Sequence, residues 1–366
     1  MSIPKSFNKN SSISLELGSG GKASWEFFKD LRKIMSYTGK WKNTGDDGAV
    51  FDLSPIMSVQ DGSMNINSGL PRRSAPRNDN LRNDNSRNDK LVFTTDAFII
   101  EPLFFKGGDI GKIAMCGTIN DVSVMGAVPI GISLSFVIEE GFPSKDLEKI
   151  IKSIDKVSRE AKVPVVTGDT KVTEKGKIDK IEITTAGVGL AKNIISNSGA
   201  KSGDKIIVSG NLGEHGAVIL SHRFNYKIKL KSDCQSLVKE VQSVAKFLNV
   251  CKDPTRGGLG ENLNEIAEKS KVKIVLNEKN LPFKKDVVAI SELLGVNLFA
   301  FPSEGRFIAS VPAKDADKVI KKLQKFNPEA KIIGEVEKGK GVYLKTAIGG
   351  LRTIEMPQGK LIPRIC

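Results

Sequence analysis

Residues 107–137 read GGDIGKIAMCGTINDVSVMGAVPIGISLSFV. Small and apolar residues recur at helical spacing from Gly107 to Ala127, with Gly107-Gly108-Asp109 at the start. From Pro129 to Val137 the composition becomes that of a strand. A helix that feeds a strand begins an alternation, and the flanking sequence continues it. Ser144 to Ala161 is an amphipathic helix, and Val163 to Thr167 and Ile181 to Val188 are strands. Upstream, Ala49-Val50-Phe51 and Leu91-Val92-Phe93-Thr94-Thr95 also read as strands. These elements predict a first domain over residues 1–192.

A second domain is expected over 193–340, because 366 residues exceed what one hydrophobic core usually serves. It opens near Lys201-Ser202-Gly203-Asp204 with a strand at Lys205 to Ser209. Helices follow near Gly213 to His222, Cys234 to Leu248, Gly257 to Ser270 and Ala313 to Lys325. Strands follow at Val272 to Leu276, Phe307 to Val311 and Lys331 to Val336. Residues 341–366 read as a tail.

The stretch 54–90 departs from all of this. Arg-Asn-Asp recurs at 77–79, 82–84 and 87–89, a period of five that suits neither helix nor strand. It is expected to be a disordered insertion in a β-hairpin connection, whose removal leaves the fold intact.

Composition excludes several classes. The chain is 39% hydrophobic and 27% charged, values of an ordinary globular protein. No run approaches the roughly 18 apolar residues that span a bilayer, and the N-terminus lacks the layout of a signal peptide. A net charge of +14 without aromatic interleaving or a recognition motif argues against nucleic acid. Four scattered cysteines make neither a disulfide framework nor a metal site, which fits a reducing, cytoplasmic compartment.

The chain ends Leu361-Ile362-Pro363-Arg364-Ile365-Cys366, a thiol on a segment that proline keeps out of a helix. Such a thiol can enter a pocket carrying a group and leave again, whereas an incidental residue on a frayed terminus is the ordinary alternative. Acidic residues supply something for it to be carried to. They occur in Gly45-Asp46-Asp47-Gly48, Thr94-Thr95-Asp96, Asn120-Asp121, Gly168-Asp169-Thr170-Lys171 and Asp253-Pro254-Thr255-Arg256-Gly257-Gly258. Asp121 lies within an otherwise small and apolar helix, where a carboxylate needs a partner or a cation. Any one of these is ordinarily a turn or cap residue; together they are the oxygen ligands that magnesium and a nucleoside triphosphate use. No Walker A loop competes. Gly210-x-x-Gly213-Glu214-His215-Gly216 before a helix offers backbone N–H groups to an anion, with a steric use for its glycines and a capping role for His215 as alternatives. Lys171 after Gly-Asp-Thr, and Glu304 in Phe301-Pro302-Ser303-Glu304-Gly305-Arg306, both read as turn residues.

Taken together, Gly18-Ser19-Gly20-Gly21-Lys22, Asp46-Asp47, Thr94-Thr95-Asp96, Gly107-Gly108-Asp109-Ile110-Gly111-Lys112, Cys116-Gly117-Thr118-Ile119-Asn120-Asp121, Thr167-Gly168-Asp169-Thr170-Lys171, Asp253-Pro254-Thr255-Arg256-Gly257-Gly258 and the closing Pro363-Arg364-Ile365-Cys366 resemble the HypE family of carbamoyl dehydratases. That family belongs to the aminoimidazole ribonucleotide synthetase, or PurM-like, superfamily. The resemblance implies an α+β fold of two PurM-like domains. The first would form a β-barrel with a second copy, the second would be an α/β sandwich, and a flexible tail would carry Cys366. It implies ATP near the homodimer interface, bound through Asp96, Asp121, Asp169, Thr170, Gly213 and His215, with Mg2+ on Asp46, Asp47, Asp96, Asp121 and Asp253. A carbamoyltransferase, HypF, would carbamoylate Cys366. ATP-dependent dehydration, with Lys171 and Glu304 as proton acceptors, would leave a thiocyanate, and its cyano group would pass to iron on a HypC and HypD scaffold during [NiFe]-hydrogenase maturation. Leu17, Gly48 and Phe301-Pro302-Ser303 depart from the family pattern without touching the aspartates or the tail. Two alternatives keep the fold: an ATP-dependent enzyme of a free small molecule, and a non-catalytic docking member.

Overall fold

The structure is a computed structural model, and it describes residues 21–23, 25, 26, 29, 42, 48–52, 89–358, 365 and 366. Asp46, Asp47, Gly18-Ser19-Gly20, Pro363-Arg364 and all but the last two residues of the 54–90 segment lie outside the described residues.

In the first domain β1 (Ala49–Asp52), β2 (Lys90–Phe98), β5 (Val128–Glu139), β6 (Val165–Thr173) and β7 (Ile181–Ala191) form one sheet in the order β1-β2-β7-β5-β6. All neighbours are antiparallel except β5 and β6, which run parallel. Helices α1 (Ile110–Val124) and α2 (Ser144–Ala161) cover one face. Every residue of α1 except Lys112 and Asp121 is buried, because the sheet covers one side and α2 and the second domain cover the rest. α1 is shorter than its sequence pattern. Gly108–Asp109 forms β4, paired with β3 (Phe104–Phe105), and the Asp109 carboxylate caps the helix by accepting from Lys112 N at 3.0 Å. In α2 the buried residues Ile150, Ile154 and Val157 fall on one stripe.

The sequence reading ends a strand at Thr167 and makes Gly168-Asp169-Thr170 a turn. The chain instead continues as β6 to Thr173, where a parallel ladder to β5 satisfies its backbone and glycine at 168 admits the close Leu134 carbonyl.

The second domain is built on a seven-stranded sheet, β14-β13-β10-β12-β8-β11-β9. Its strands are β8 (Lys205–Val208), β9 (Val250–Lys252), β10 (Lys273–Asn277), β11 (Ile308–Val311), β12 (Lys331–Glu337), β13 (Gly341–Lys345) and β14 (Leu351–Thr353). Its helices are α3 (Glu214–Arg223), α4 (Val238–Val244), α5 (Gly258–Ser270), α6 (Lys285–Leu294) and α7 (Ala313–Leu323). On β8, Ile206 and Val208 join the core with α5, while Ile207 joins the core with α4 and α7. A strand covered on both faces reads as a continuous apolar run for that reason.

Three sequence expectations are corrected here. Residues 341–353, read as the start of the tail, are β13 and β14, and β13 lies parallel to β10 inside the sheet. The helix expected from Cys234 begins only at Val238, leaving 231–236 as an extended strap. α6 has no counterpart in the sequence reading.

One contiguous apolar core joins the domains, from Ile110, Ile119 and Ile150 to Ile219, Ile290, Phe301 and Ile365. The first sheet is open rather than a closed barrel, with β1 and β6 at its edges among the described residues. Among those residues no helix is long and apolar enough to cross a membrane.

Candidate active site

The site grows from the face that β2 turns toward α1. Alternate residues of the strand share that face, so Thr94 and Asp96 stand together, while Thr118 and Asp121 lie one turn apart on the helix. They bond crosswise: Thr118 Oγ1 donates to Asp96 Oδ2 at 2.6 Å, and Thr94 Oγ1 donates to Asp121 Oδ2 at 3.2 Å. Two carboxylates are thereby fixed side by side. Asp121 is thus the partnered carboxylate that its place in an apolar helix demanded.

Cys366 reaches this region. Ile365 is 4% exposed and packs into the shared core, and Cys366 is half-buried, its backbone carbonyl accepting from Ile99 N at 3.4 Å. Arg256 lies within electrostatic reach of Cys366, Asp96, Asp121 and Glu304, each of which raises its pKa when ionised. Burial pushes the Cys366 thiol well above its ordinary range, and the Glu304 carboxylate pushes the same way. A thiol held protonated is a poor nucleophile but a sound anchor for a neutral acyl group.

His215 holds the tail in place. It is fully buried, with Nε2 2.9 Å from the Ile365 carbonyl oxygen and Nδ1 2.8 Å from Ser232 Oγ. A carbonyl can only accept, so Nε2 carries the proton and Nδ1 accepts from the serine hydroxyl. Burial lowers the His215 pKa to about 4, which keeps the ring neutral. With the tail docked, the groups of His215 and Gly213 expected to meet nucleotide are engaged elsewhere. Both ring nitrogens are taken, and Gly213 N donates to Ser303 Oγ at 2.7 Å, so neither offers a free donor to an anion.

Glu304 is 2% exposed, with its N–H donating to Asp233 Oδ1 at 3.0 Å and its carbonyl accepting from Asn120 Nδ2 at 3.3 Å. Its Oε1 is buried without a hydrogen-bond partner. Burial raises its pKa well above the usual carboxylate range, and the nearby acids Asp253 and Asp233 raise it further. A carboxylate so raised holds a captured proton more firmly than an exposed one would.

The remaining expected residues separate from this cluster. Asp169 and Lys171 stand in register with Ser135 and Val137, on the face of the sheet turned away from α1, whereas Thr170 stands opposite Phe136 on the α1 side. β6 is three strands from β2, roughly 14 Å, so within one protomer the structure does not bring these residues to Asp96. Among the described residues no three His, Cys, Asp or Glu side chains gather as a metal site. The expected five-aspartate magnesium set therefore reduces, among them, to the Asp96 and Asp121 pair. Asp253 lies near the same cluster, its charge raising the pKa of Glu304 and of Cys366. Two described hydrogen bonds tie the glycine-rich N-terminal segment to the second half of the chain: Gly21 N donates to Glu261 Oε2 at 2.5 Å and Lys22 N donates to the Pro357 carbonyl at 2.8 Å.

Sequence reasoning missed Asp233. It lies in the strap Lys231-Ser232-Asp233-Cys234, which carries no motif.

Comparison with known proteins identifies the family. Residues 79–191 match the family model for the N-terminal domain of AIR synthase related proteins, and 201–346 match the model for their C-terminal domain. A carbamoyl dehydratase HypE from Cupriavidus necator is 38% identical over 98% of this chain and 96% of its own length. A crystal structure of hydrogenase maturation protein HypE in complex with ATP superposes with a TM-score of 0.73 at 32% identity, covering 97% of this chain and all of the other. A structure of a HypE–HypF complex superposes at 0.71 with 39% identity, covering 73% of this chain and 90% of the other.

Proposed function

This chain belongs to the HypE carbamoyl dehydratase family, and from that premise we propose that it dehydrates an S-carbamoyl group carried on its own Cys366, using ATP, to a thiocyanate. The observation that carries this reading is the docked terminus. The thiol that would bear the carbamoyl group is inside the site, among Glu304, Arg256 and the Asp96 and Asp121 pair, held by a histidine that no other role engages. The small-molecule alternative leaves that latch unexplained.

The chemistry assigns the side chains. A carbamoyl oxygen leaves poorly until it is phosphorylated, and loss of phosphate then gives the nitrile as nitrogen gives up its protons. Glu304 takes a proton from nitrogen, its raised basicity suiting the task. Arg256 offsets negative charge beside Cys366. Asp96 and Asp121 are hard oxygen donors, and a carboxylate pair completed by water and phosphate oxygens is a donor set that Mg2+ accepts. They would hold the ion, which when bound neutralises charge on the transferring phosphoryl group.

A homodimer completes the reading. β6 is an edge strand whose Val166 and Val172 are 61% and 68% exposed, and Phe93, Val128 and Ile130 are exposed on the same sheet. An uncovered edge of this kind calls for a partner strand or sheet. A second copy seated there, closing the open sheet toward a barrel, would direct Asp169 and Lys171 to the interface, where the family resemblance puts ATP. The partners that follow are a HypF carbamoyltransferase, as in the related HypE–HypF complex, and a HypC and HypD scaffold that takes the cyano group. The tail that docks here would leave the site to meet both, in the cytoplasm.

The test is intact-chain mass spectrometry after incubation with the carbamoyltransferase, carbamoyl phosphate and ATP. The expected result is a carbamoyl adduct that loses the mass of one water when ATP is present and is absent in Cys366→Ala. ATP turnover on a free small molecule that survives Cys366→Ala would overturn the reading.

A further inference from the structure

The dehydration is not proton-neutral. A thiocarbamate plus ATP gives a thiocyanate, ADP and phosphate: the bond from the γ-phosphorus to the bridging oxygen of ATP breaks as one to the carbamoyl oxygen forms, the C–O bond then breaks with that oxygen leaving on phosphate, and the two N–H protons are lost. At neutral pH one of these protons ends on the phosphate and one must leave the site. The tail itself obstructs the way it came in, since Ile365 is 4% exposed and packed into the core.

Behind Glu304 the structure holds a second way out. Asp233 is 6% exposed, with Oδ1 accepting the Glu304 N–H at 3.0 Å and Oδ2 buried without a partner, as Glu304 Oε1 also is. Two orphaned carboxyl oxygens on residues joined by a hydrogen bond are unusual, because each buried polar atom ordinarily finds a partner. Asp233 also lines a cavity of about 820 Å³ whose rim carries the exposed Lys229 and Lys231. Lys112, Lys284 and Arg306 line it as well, with Glu160 and Glu214 opposing them, so that its bases outnumber its acids. Resting on the role of Glu304 above, we infer that Asp233 is a positioning residue and proton outlet: it fixes Glu304 through the backbone and passes the released proton from Glu304 to water in this cavity. Burial raises the pKa of both Asp233 and Glu304, so both carboxyls can hold a proton nearer neutral pH than exposed ones would.

The strap gives this arrangement a second consequence. Ser232 supports His215, and through it the tail carbonyl, while the next residue supports Glu304. Docking of the substrate arm and positioning of the proton acceptor are thus set by adjacent residues.

The experiment is a single-turnover assay on the full-length S-carbamoylated protein, following loss of water from the adduct after ATP is added. Asp233→Ala is expected to slow this step at least about tenfold, with ATP affinity unchanged, and formate entering the cavity is expected to restore it in proportion to its concentration. Asp233→Asn keeps the hydrogen bond to Glu304 but cannot carry a proton, and is expected to be as slow as the alanine variant. If Asp233→Asn turns over at the wild-type rate, or if formate has no effect on Asp233→Ala, the inference is wrong. Glu304→Gln separates the two readings. If it is inactive while Asp233→Asn is normal, only the outlet fails; if it is active, the role of Glu304 fails as well.

Discussion

His215 shows how much one side chain can decide. Its neutral form satisfies Ile365 and Ser232 together, and a burial-lowered pKa of about 4 maintains that form. An unfolded histidine binds a proton below about pH 6.5, so between there and pH 4 the unfolded chain holds the extra proton. The stability contributed by neutral His215 is therefore complete above pH 6.5 and is lost as the pH falls toward 4, by at most about 3 kcal/mol. Expressed relative to His215→Ala at the same pH, so that the loss of thiolate cancels, alkylation of Cys366 is expected to rise toward one as the pH falls through that window. Glu304→Gln is the second residue-scale prediction. It should bind ATP normally and lower the dehydration rate by about a hundredfold or more in a rapid-quench assay. Short motifs single out Cys366, Asp96 and Asp121 in the sequence, whereas Glu304 stands in an ordinary turn and is picked out only by the family resemblance. The task of His215 was not legible there, since its partner lies 150 residues away and only the folded chain brings them together.

At the scale of elements, α5 shows why some boundaries could be read and others could not. Gly257 and Gly258 lie at φ +73° and +57°, a conformation that L side chains rarely adopt, and the helix predicted from Gly257 to Ser270 is found at Gly258–Ser270. A Cβ on Gly258 would stand 2.6 Å from the Phe301 carbonyl oxygen and 2.7 Å from that of Phe299, both backbone atoms that cannot rotate away. Gly258→Ala is expected to cost about 2 kcal/mol or more in denaturant unfolding, and to weaken ATP binding by moving Arg256 and the 301–304 turn together. The local signal there was sufficient. β13 was misread as tail because the pairing that sets it inside the sheet is parallel, to β10 some 68 residues earlier, and its local partner β14 is only three residues long. β6 was cut short for the same reason: Gly168-Asp169-Thr170 is a turn by composition and a strand by virtue of its ladder to β5.

At the scale of the molecule, the two domains are tied by a core that runs from α1 and α2 into α3, α6 and the terminal Ile365, so the site between them is a product of docking and not of either domain alone. What one protomer leaves unfinished is the far face of the first sheet. Lys171 and Asp169 stand there without Cys366 or Glu304, on the edge strand β6, which also exposes Val166 and Val172. Burial of two such faces against each other would remove apolar surface from water at roughly 25 cal/mol per Å², and would complete a nucleotide site that no single chain assembles. A charge placed on that surface separates the two contributions. Val166→Lys is expected to give a monomer by analytical ultracentrifugation, with His215 still protecting Cys366 from alkylation, because the tail docks within one chain. The same variant is expected to lose ATP-dependent dehydration, because Lys171 then has no interface to occupy. A monomeric variant that still converts its carbamoyl adduct would show that one protomer suffices, and would remove Lys171 from the chemistry.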